Sequence, residues 1–472
     1  MIKRFCLFIS LWSSIIFAQD IQFPPEFFFG VANAPSQVED HLDDIWMDFA
    51  NLHRVRAFQN QYLPEERIHF WTRPEVEMDL ARDLNVQVFR LGVDWQRLFP
   101  KKGELDREAL LHYKNIIEGI HGRGMKVMLT LFHHTEPRWT YDYGGWREKE
   151  MISDFKHFWQ PVLEELGDQV DYLVTFNEAQ VYALLSQVAG EWPYRYRASA
   201  LSLFNFGPFK GRFEKSLQHM AQSHIQIFQW SKSKRKKYKI GIAHNVANYQ
   251  GINRVSGLSA WMSWQKMNFK FSDLVSNHID FLGLNYYGRE VIKGTKIILA
   301  DDFEYSDSGR AIDPHGLYKI LKEFDHRYNH IPFIITENGI ADQNDWVRPA
   351  YLIEHLAAIR KSMEEGVEVL GYIHWTLTDN FEWADGYCPK FGLTEVIREG
   401  EAPFKRVKRD SYLQFSKIAK ERLITKEMRQ SSWQKYLDHK GQKRPQCRST
   451  NGVSGLDVPR LEALKGLDWR FR

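Results

Sequence analysis

Short runs rich in Val, Ile and Phe recur along the chain, and longer segments with helix-like apolar spacing separate them. Eight such runs stand out, at residues 27–32, 87–91, 126–132, 172–176, 239–243, 281–285, 333–336 and 371–375. An unbroken apolar run, in place of an alternating one, is what a strand needs when both faces of its sheet are covered. Eight βα units in series predict an α/β fold of the (β/α)8 TIM-barrel type, a single domain with a C-terminal extension.

Composition supports one large core. The 472 residues are 43% hydrophobic and 26% charged, which excludes a disordered chain. A net charge of +3 is small for this length and argues against a protein that works by neutralising nucleic-acid phosphates. Cys6, Cys388 and Cys447 are too few and too scattered for a disulfide framework or a thiolate metal site, so neither a metal nor a structural disulfide is expected.

Lys3 and Arg4 precede an apolar run at 5–17 and then Ala18, the layout of an export signal. The run falls short of the roughly 20 apolar residues that span a bilayer. Residues 1–18 are expected to be a cleaved signal peptide, which implies a secreted or periplasmic protein. Residues 19–420 would form the barrel and 421–472 a basic C-terminal extension, which holds twelve basic against six acidic residues. That charge leaves a peripheral contact with an anionic membrane open. A second basic run, at 232–239, reads as a solvated helix end.

In barrels of this kind the chemistry sits where the strands end, on the carboxyl face. The polar residues there are Gln37, Arg90, His133 with His134, Asn177 with Glu178, Asn285 with Tyr286 and Tyr287, and Glu337 with Asn338. Trp375 follows the eighth run, and the loop after it brings Glu382, Trp383 and Phe391. Cleavage of a glycosidic bond needs two carboxyl groups flanking it, one to protonate the leaving oxygen and one to attack or to direct water. Glu178 and Glu337 each follow an apolar run, so a barrel would bring both to one mouth.

The surroundings of these two residues resemble glycoside hydrolase family 1. Ile334-Ile335-Thr336-Glu337-Asn338-Gly339 carries that family's T-E-N-G nucleophile motif, and Thr175-Phe176-Asn177-Glu178 its N-E-P acid/base motif, with Ala179 in the proline position. Gln37-Val38-Glu39 is similar to the Q-x-E-G segment, with Asp40 replacing the glycine; Leu131-Phe132-His133-His134 is similar to L-Y-H-W, with His134 replacing the tryptophan. Phe89-Arg90 through Trp95, Arg97 and Pro100, Tyr143-Gly144-Gly145-Trp146, Leu284-Asn285-Tyr286-Tyr287 and Asn380-Phe381-Glu382-Trp383 also match.

The resemblance implies a retaining β-glycosidase of the β-glucosidase/β-galactosidase type, with Glu337 as nucleophile and Glu178 as acid/base. Gln37, His133, Asn177 and Glu382 would bind the sugar hydroxyls, Trp375, Trp383 and Phe391 would supply an apolar wall, and Arg90 and Tyr287 would support Glu337. With a cation and a phenol beside it Glu337 is expected to titrate low, while Glu178 should arrive protonated. The partner is a small β-glycoside or a glycolipid, without nucleic acid and without a cofactor.

One branch of the family, the plant galactolipid galactosyltransferases, resembles the chain further, at 40–49, at 384–393 and in Asp468-Trp469-Arg470-Phe471. Transfer of a galactosyl group between lipids is therefore the alternative to hydrolysis, since a correctly placed hydroxyl can release the same glycosyl-enzyme. A silent sugar-binding barrel is the remaining alternative, and the presence of both glutamates speaks against it.

Overall fold

Eight parallel strands hydrogen-bond edge to edge and close on themselves in this computed structural model. They are β1 (Phe28–Ala32), β2 (Val88–Gly92), β3 (Lys126–Phe132), β4 (Tyr172–Asn177), β5 (Lys239–Gly251), β6 (Phe281–Lys293), β7 (Phe333–Asn338) and β8 (Val369–His374). Closure comes from β8 on β1, with Gly371 opposite Phe28. The residues described are 20–52, 65–193, 211–294, 296–300, 303–445, 447 and 468–472. The expected signal peptide at 1–18 lies outside them.

All eight expected runs are barrel strands, and each is buried along most of its length because helices cover the outer face. Some of the covering helices begin at a side-chain cap. Asp106 accepts from the backbone amide of Ala109 at 2.9 Å and starts Arg107–His121, which buries Leu110, Tyr113, Ile117 and Ile120.

Two strands run well past their expected ends. β5 and β6 continue together beyond the barrel, Tyr249 opposite Glu290 and Gly251 opposite Ile292, and Lys296–Ile298 adds an antiparallel strand. The unbroken apolar runs stop at Ala243 and Leu284 because polar residues then enter the pattern; Val246 and Tyr286 beyond them stay in the core, and the ladder reaches solvent at Gln250 and Lys293.

The absence of a structural disulfide, expected from cysteine count, is corrected: Cys388 and Cys447 are bonded, with Cα atoms 5.5 Å apart. They are 59 residues apart in sequence, and only the fold brings the loop after β8 against the C-terminal segment. The described part of that segment packs onto the barrel. Helix Lys426–His439 lays Trp433 and Tyr436 with Trp469 against Ile312, Ile340, Val347 and Tyr351. The buried Glu354 carboxylate accepts from Arg429, from the Trp433 indole at 2.7 Å and from the Phe471 amide at 2.6 Å.

Candidate active site

The carboxyl ends of β2, β4, β6 and β7 converge on one hydrogen-bonded network. Arg90, fully buried on β2, is its hub: Nε donates to Thr130 Oγ1 at 3.0 Å, Nη1 to the Thr336 carbonyl at 3.1 Å and to Glu337 Oε1 at 2.6 Å, and Nη2 to Asn177 Oδ1 at 2.6 Å. The other Glu337 oxygen accepts from the Tyr287 hydroxyl at 2.7 Å. A planar guanidinium that spends its donors on four fixed acceptors has no rotational freedom left, so Glu337 is held in place. Gly339 closes the motif, since a Cβ there would stand 1.7 Å from the Trp375 carbonyl oxygen.

Glu178 sits one residue past β4 with φ 47° and ψ 47°, left-handed backbone that costs a non-glycine residue about 1 kcal/mol. The amide of Glu178 donates to the Ala243 carbonyl at 2.7 Å and fixes this turn. Its Oε1 accepts from the side-chain amides of Asn245 at 2.9 Å and Asn285 at 3.0 Å. Asn285 is itself oriented by Thr336 Oγ1, which donates to its Oδ1 at 2.7 Å. The other oxygen, Oε2, faces His134 Nε2 at 3.6 Å.

Asn177 ties the two halves together. Its Oδ1 is occupied by Arg90, so its amide nitrogen faces Nε2 of both His133, at 3.0 Å, and His134, at 3.2 Å. At His133 an accepting Nε2 puts the ring proton on Nδ1, whereas His134 Nε2 faces the Glu178 carboxyl as well as the Asn177 amide. Burial lowers both histidines below the ordinary range, and the Arg90 cation adds to this.

The remaining candidates line the same space. Gln37 donates to Glu382 Oε2 at 3.3 Å, which couples the first loop to the last. Trp375 and Trp383 lie 5.9 and 5.8 Å from the His133 ring, and Phe391 lies 5.9 Å from Tyr287. All eleven residues given a role from sequence are thus brought to one mouth: Gln37, Arg90, His133, Asn177, Glu178, Tyr287, Glu337, Trp375, Glu382, Trp383 and Phe391. Asp40 does not join them. It accepts from the backbone amides of Trp71 and Thr72 and ties the first loop down, a task glycine could not perform.

Sequence reasoning missed Asn245, Trp46 and Trp192. Asn245 lies two residues beyond the fifth apolar run, which ends at Ala243, so no apolar run marks its place on the strand. Trp46 donates to the His134 carbonyl at 3.1 Å and packs on Trp383, and Trp192 packs on His134 at 4.6 Å.

The expected protonation pattern is reversed. Burial pushes Glu337 up to about 7, and the nearby Glu178 charge adds to it, against the lowering by Arg90 and Tyr287. Burial also acts to raise Glu178, but His134 and the amides of Asn285 and Asn245 outweigh it and hold the carboxyl below the usual range. Complete removal from water therefore outweighs one cation at Glu337, while several donors outweigh burial at Glu178.

The chain matches the model of "Glycosyl hydrolase family 1" over residues 19–253 and 262–423. It is 36% identical to the chloroplastic galactolipid galactosyltransferase SFR2 of Arabidopsis thaliana, over 94% of this chain and 82% of that protein. It is 27% identical to the β-galactosidase of Saccharolobus solfataricus, over 78% and 87% of the two chains. A β-glycosidase structure from Pyrococcus horikoshii superposes with a TM-score of 0.77 at 26% identity, over 88% of this chain and 98% of that one. With the family model spanning nearly the whole barrel, the chain belongs to glycosyl hydrolase family 1.

Proposed function

We propose that the protein is a retaining β-glycosidase for β-galactosides or β-glucosides, with Glu337 as nucleophile and Glu178 as acid/base. The observation that carries this reading is the pair of buried carboxyl groups held by one network through Arg90, Asn177 and Asn285. In the first step, from the form in which the one proton shared by the pair lies on Glu178, a Glu337 oxygen bonds to the anomeric carbon, the glycosidic bond breaks, and the leaving oxygen takes that proton. In the second, Glu178 takes a proton from the incoming hydroxyl, whose oxygen displaces Glu337. Gln37, Glu382, His133 and Asn177 supply hydrogen-bonding groups for the sugar edges, and Trp375 and Trp383 an apolar face. Residues 1–18 serve in this reading as an export signal that is removed.

A second reading, glycosyl transfer to the hydroxyl of another glycolipid, is favoured by the similarity to a galactolipid galactosyltransferase; in either reading Glu178 acts as base on the incoming hydroxyl. Incubation with an aryl β-galactoside, with the anomer followed by NMR, tests the first reading: the β-anomer must form first, and initial release of the α-anomer would refute retention. A monogalactosyl lipid in detergent, with products resolved by mass, separates the two: elongated lipids mean transfer, and free galactose alone means hydrolysis.

A further inference from the structure

The helix Arg254–Ser263, which follows β5 above the mouth, presents its apolar side outward. The residues it buries are Ser256 and Ala260. Val255, Leu258, Trp261 and Met262 are 81, 63, 59 and 58% exposed. At 3.6 residues per turn these four fall within about 120° of arc, opposite Ser256 and Ala260. Ile252 just before the helix and Ile297 on the neighbouring ladder are also exposed. Ile252 donates to the Ile292 carbonyl, Ile292 pairs with Ile297, and the Gly294 amide donates to Ser256 Oγ, so helix and ladder form one surface.

Single exposed apolar side chains are ordinary, but a contiguous set marks a contact surface. Six of the twelve large apolar side chains exposed among the described residues are gathered here. Within the helix segment and the ladder the charge has one sign. Arg254, Lys293 and Lys296 are exposed around the patch, and residues 251–272 and 291–300 contain no Asp or Glu. The family match breaks at 254–261, so this helix is a departure of the chain from its family's shared pattern. Its place is functional: β5 carries Asn245, the donor to Glu178, and a rise of about 3.3 Å per residue puts Ile252 roughly 20 Å farther along the strand.

We propose that this surface docks the protein on a lipid bilayer carrying anionic headgroups. Val255, Leu258, Trp261 and Met262 enter the boundary between headgroups and acyl chains, and the three cations meet the phosphates. The helix has 10 residues, too few to cross a membrane, so the contact it makes is interfacial. Docking places the catalytic mouth beside the lipid surface. It stands apart from the reaction assigned above, because binding is read without turnover.

The test uses the full chain and vesicles of phosphatidylcholine with about 30% phosphatidylglycerol. A Val255→Cys variant in a Cys6→Ser background, labelled with an environment-sensitive dye, should shift to the blue when vesicles are added. The Leu258→Ser/Trp261→Ser variant should lose affinity for these vesicles by about tenfold or more, with turnover of a soluble aryl glycoside unchanged. A label that stays in water in the presence of bound vesicles overturns the proposal. So does a wild-type chain that dimerises in solution through a contact the double substitution abolishes, since the face is then covered by a second copy.

Discussion

His134 Nε2 stands 3.6 Å from Glu178 Oε2, in the place where the sequence motif of the family carries a tryptophan. An indole there could contribute only a ring and one donor; the imidazole adds a ring nitrogen facing the carboxyl and stabilises its ionised form. The residue thus bears on the balance between Glu178 as acid and Glu178 as base.

Replacing His134 by Trp removes that influence and leaves only the amides of Asn245 and Asn285 against burial. The Glu178 carboxyl should then titrate higher, and cleavage of alkyl glycosides, which need the acid most, should improve by about threefold to tenfold relative to activated aryl glycosides. Rates for both substrate types across pH check this. An unchanged ratio and unchanged limbs would remove His134 from the account.

The pH profile follows from the pair. The reactive state carries one proton between the two carboxyl groups, so the rate falls when a second proton binds at low pH and when the last one leaves at high pH. Because Glu337 is pushed up to about 7, the alkaline limb of kcat/KM should lie near pH 7. Full activity retained well above that pH would contradict the protonation pattern described.

Arg90→Lys keeps the charge but loses the fork that binds Thr130, Thr336, Glu337 and Asn177 together. A drop of about 100-fold or more in kcat/KM is expected. Steady-state kinetics on an aryl glycoside, with circular dichroism to confirm folding, checks it. A loss under about threefold would mean that the charge alone matters.

Much of this site was readable before the structure. The eight strands announced themselves because a parallel sheet covered on both faces needs continuous apolar runs, and the catalytic candidates followed from the residues just past those runs. What escaped detection depends on distance through space. Asn245 lies on a strand whose apolar pattern stops before the strand does. The bond between Cys388 and Cys447 joins segments that only the closed barrel makes neighbours. The titration of Glu337 is not legible in the sequence, because Arg90 and Tyr287 are visible as motifs, whereas complete burial is a property of the whole mouth.

The disulfide should anchor the C-terminal segment. Its 59-residue separation corresponds, on a chain-entropy model, to about 4 kcal/mol of stability as an upper figure. Cys447→Ser should lower the midpoint of thermal unfolding while leaving turnover of a soluble glycoside in place, since the bond lies outside the catalytic network. Calorimetry with and without reductant reads it. A variant with unchanged stability would show that the packing of Trp433, Tyr436 and Trp469 suffices.

The most direct measurement is to trap the covalent intermediate. An activated fluorosugar of the β-galactoside or β-glucoside series slows the second step more than the first, and mass spectrometry of the intact chain and its peptides locates the sugar. The account predicts one sugar per chain, esterified to Glu337 and absent from Glu337→Gln. An adduct on another residue, or undiminished turnover by Glu337→Gln, would contradict it.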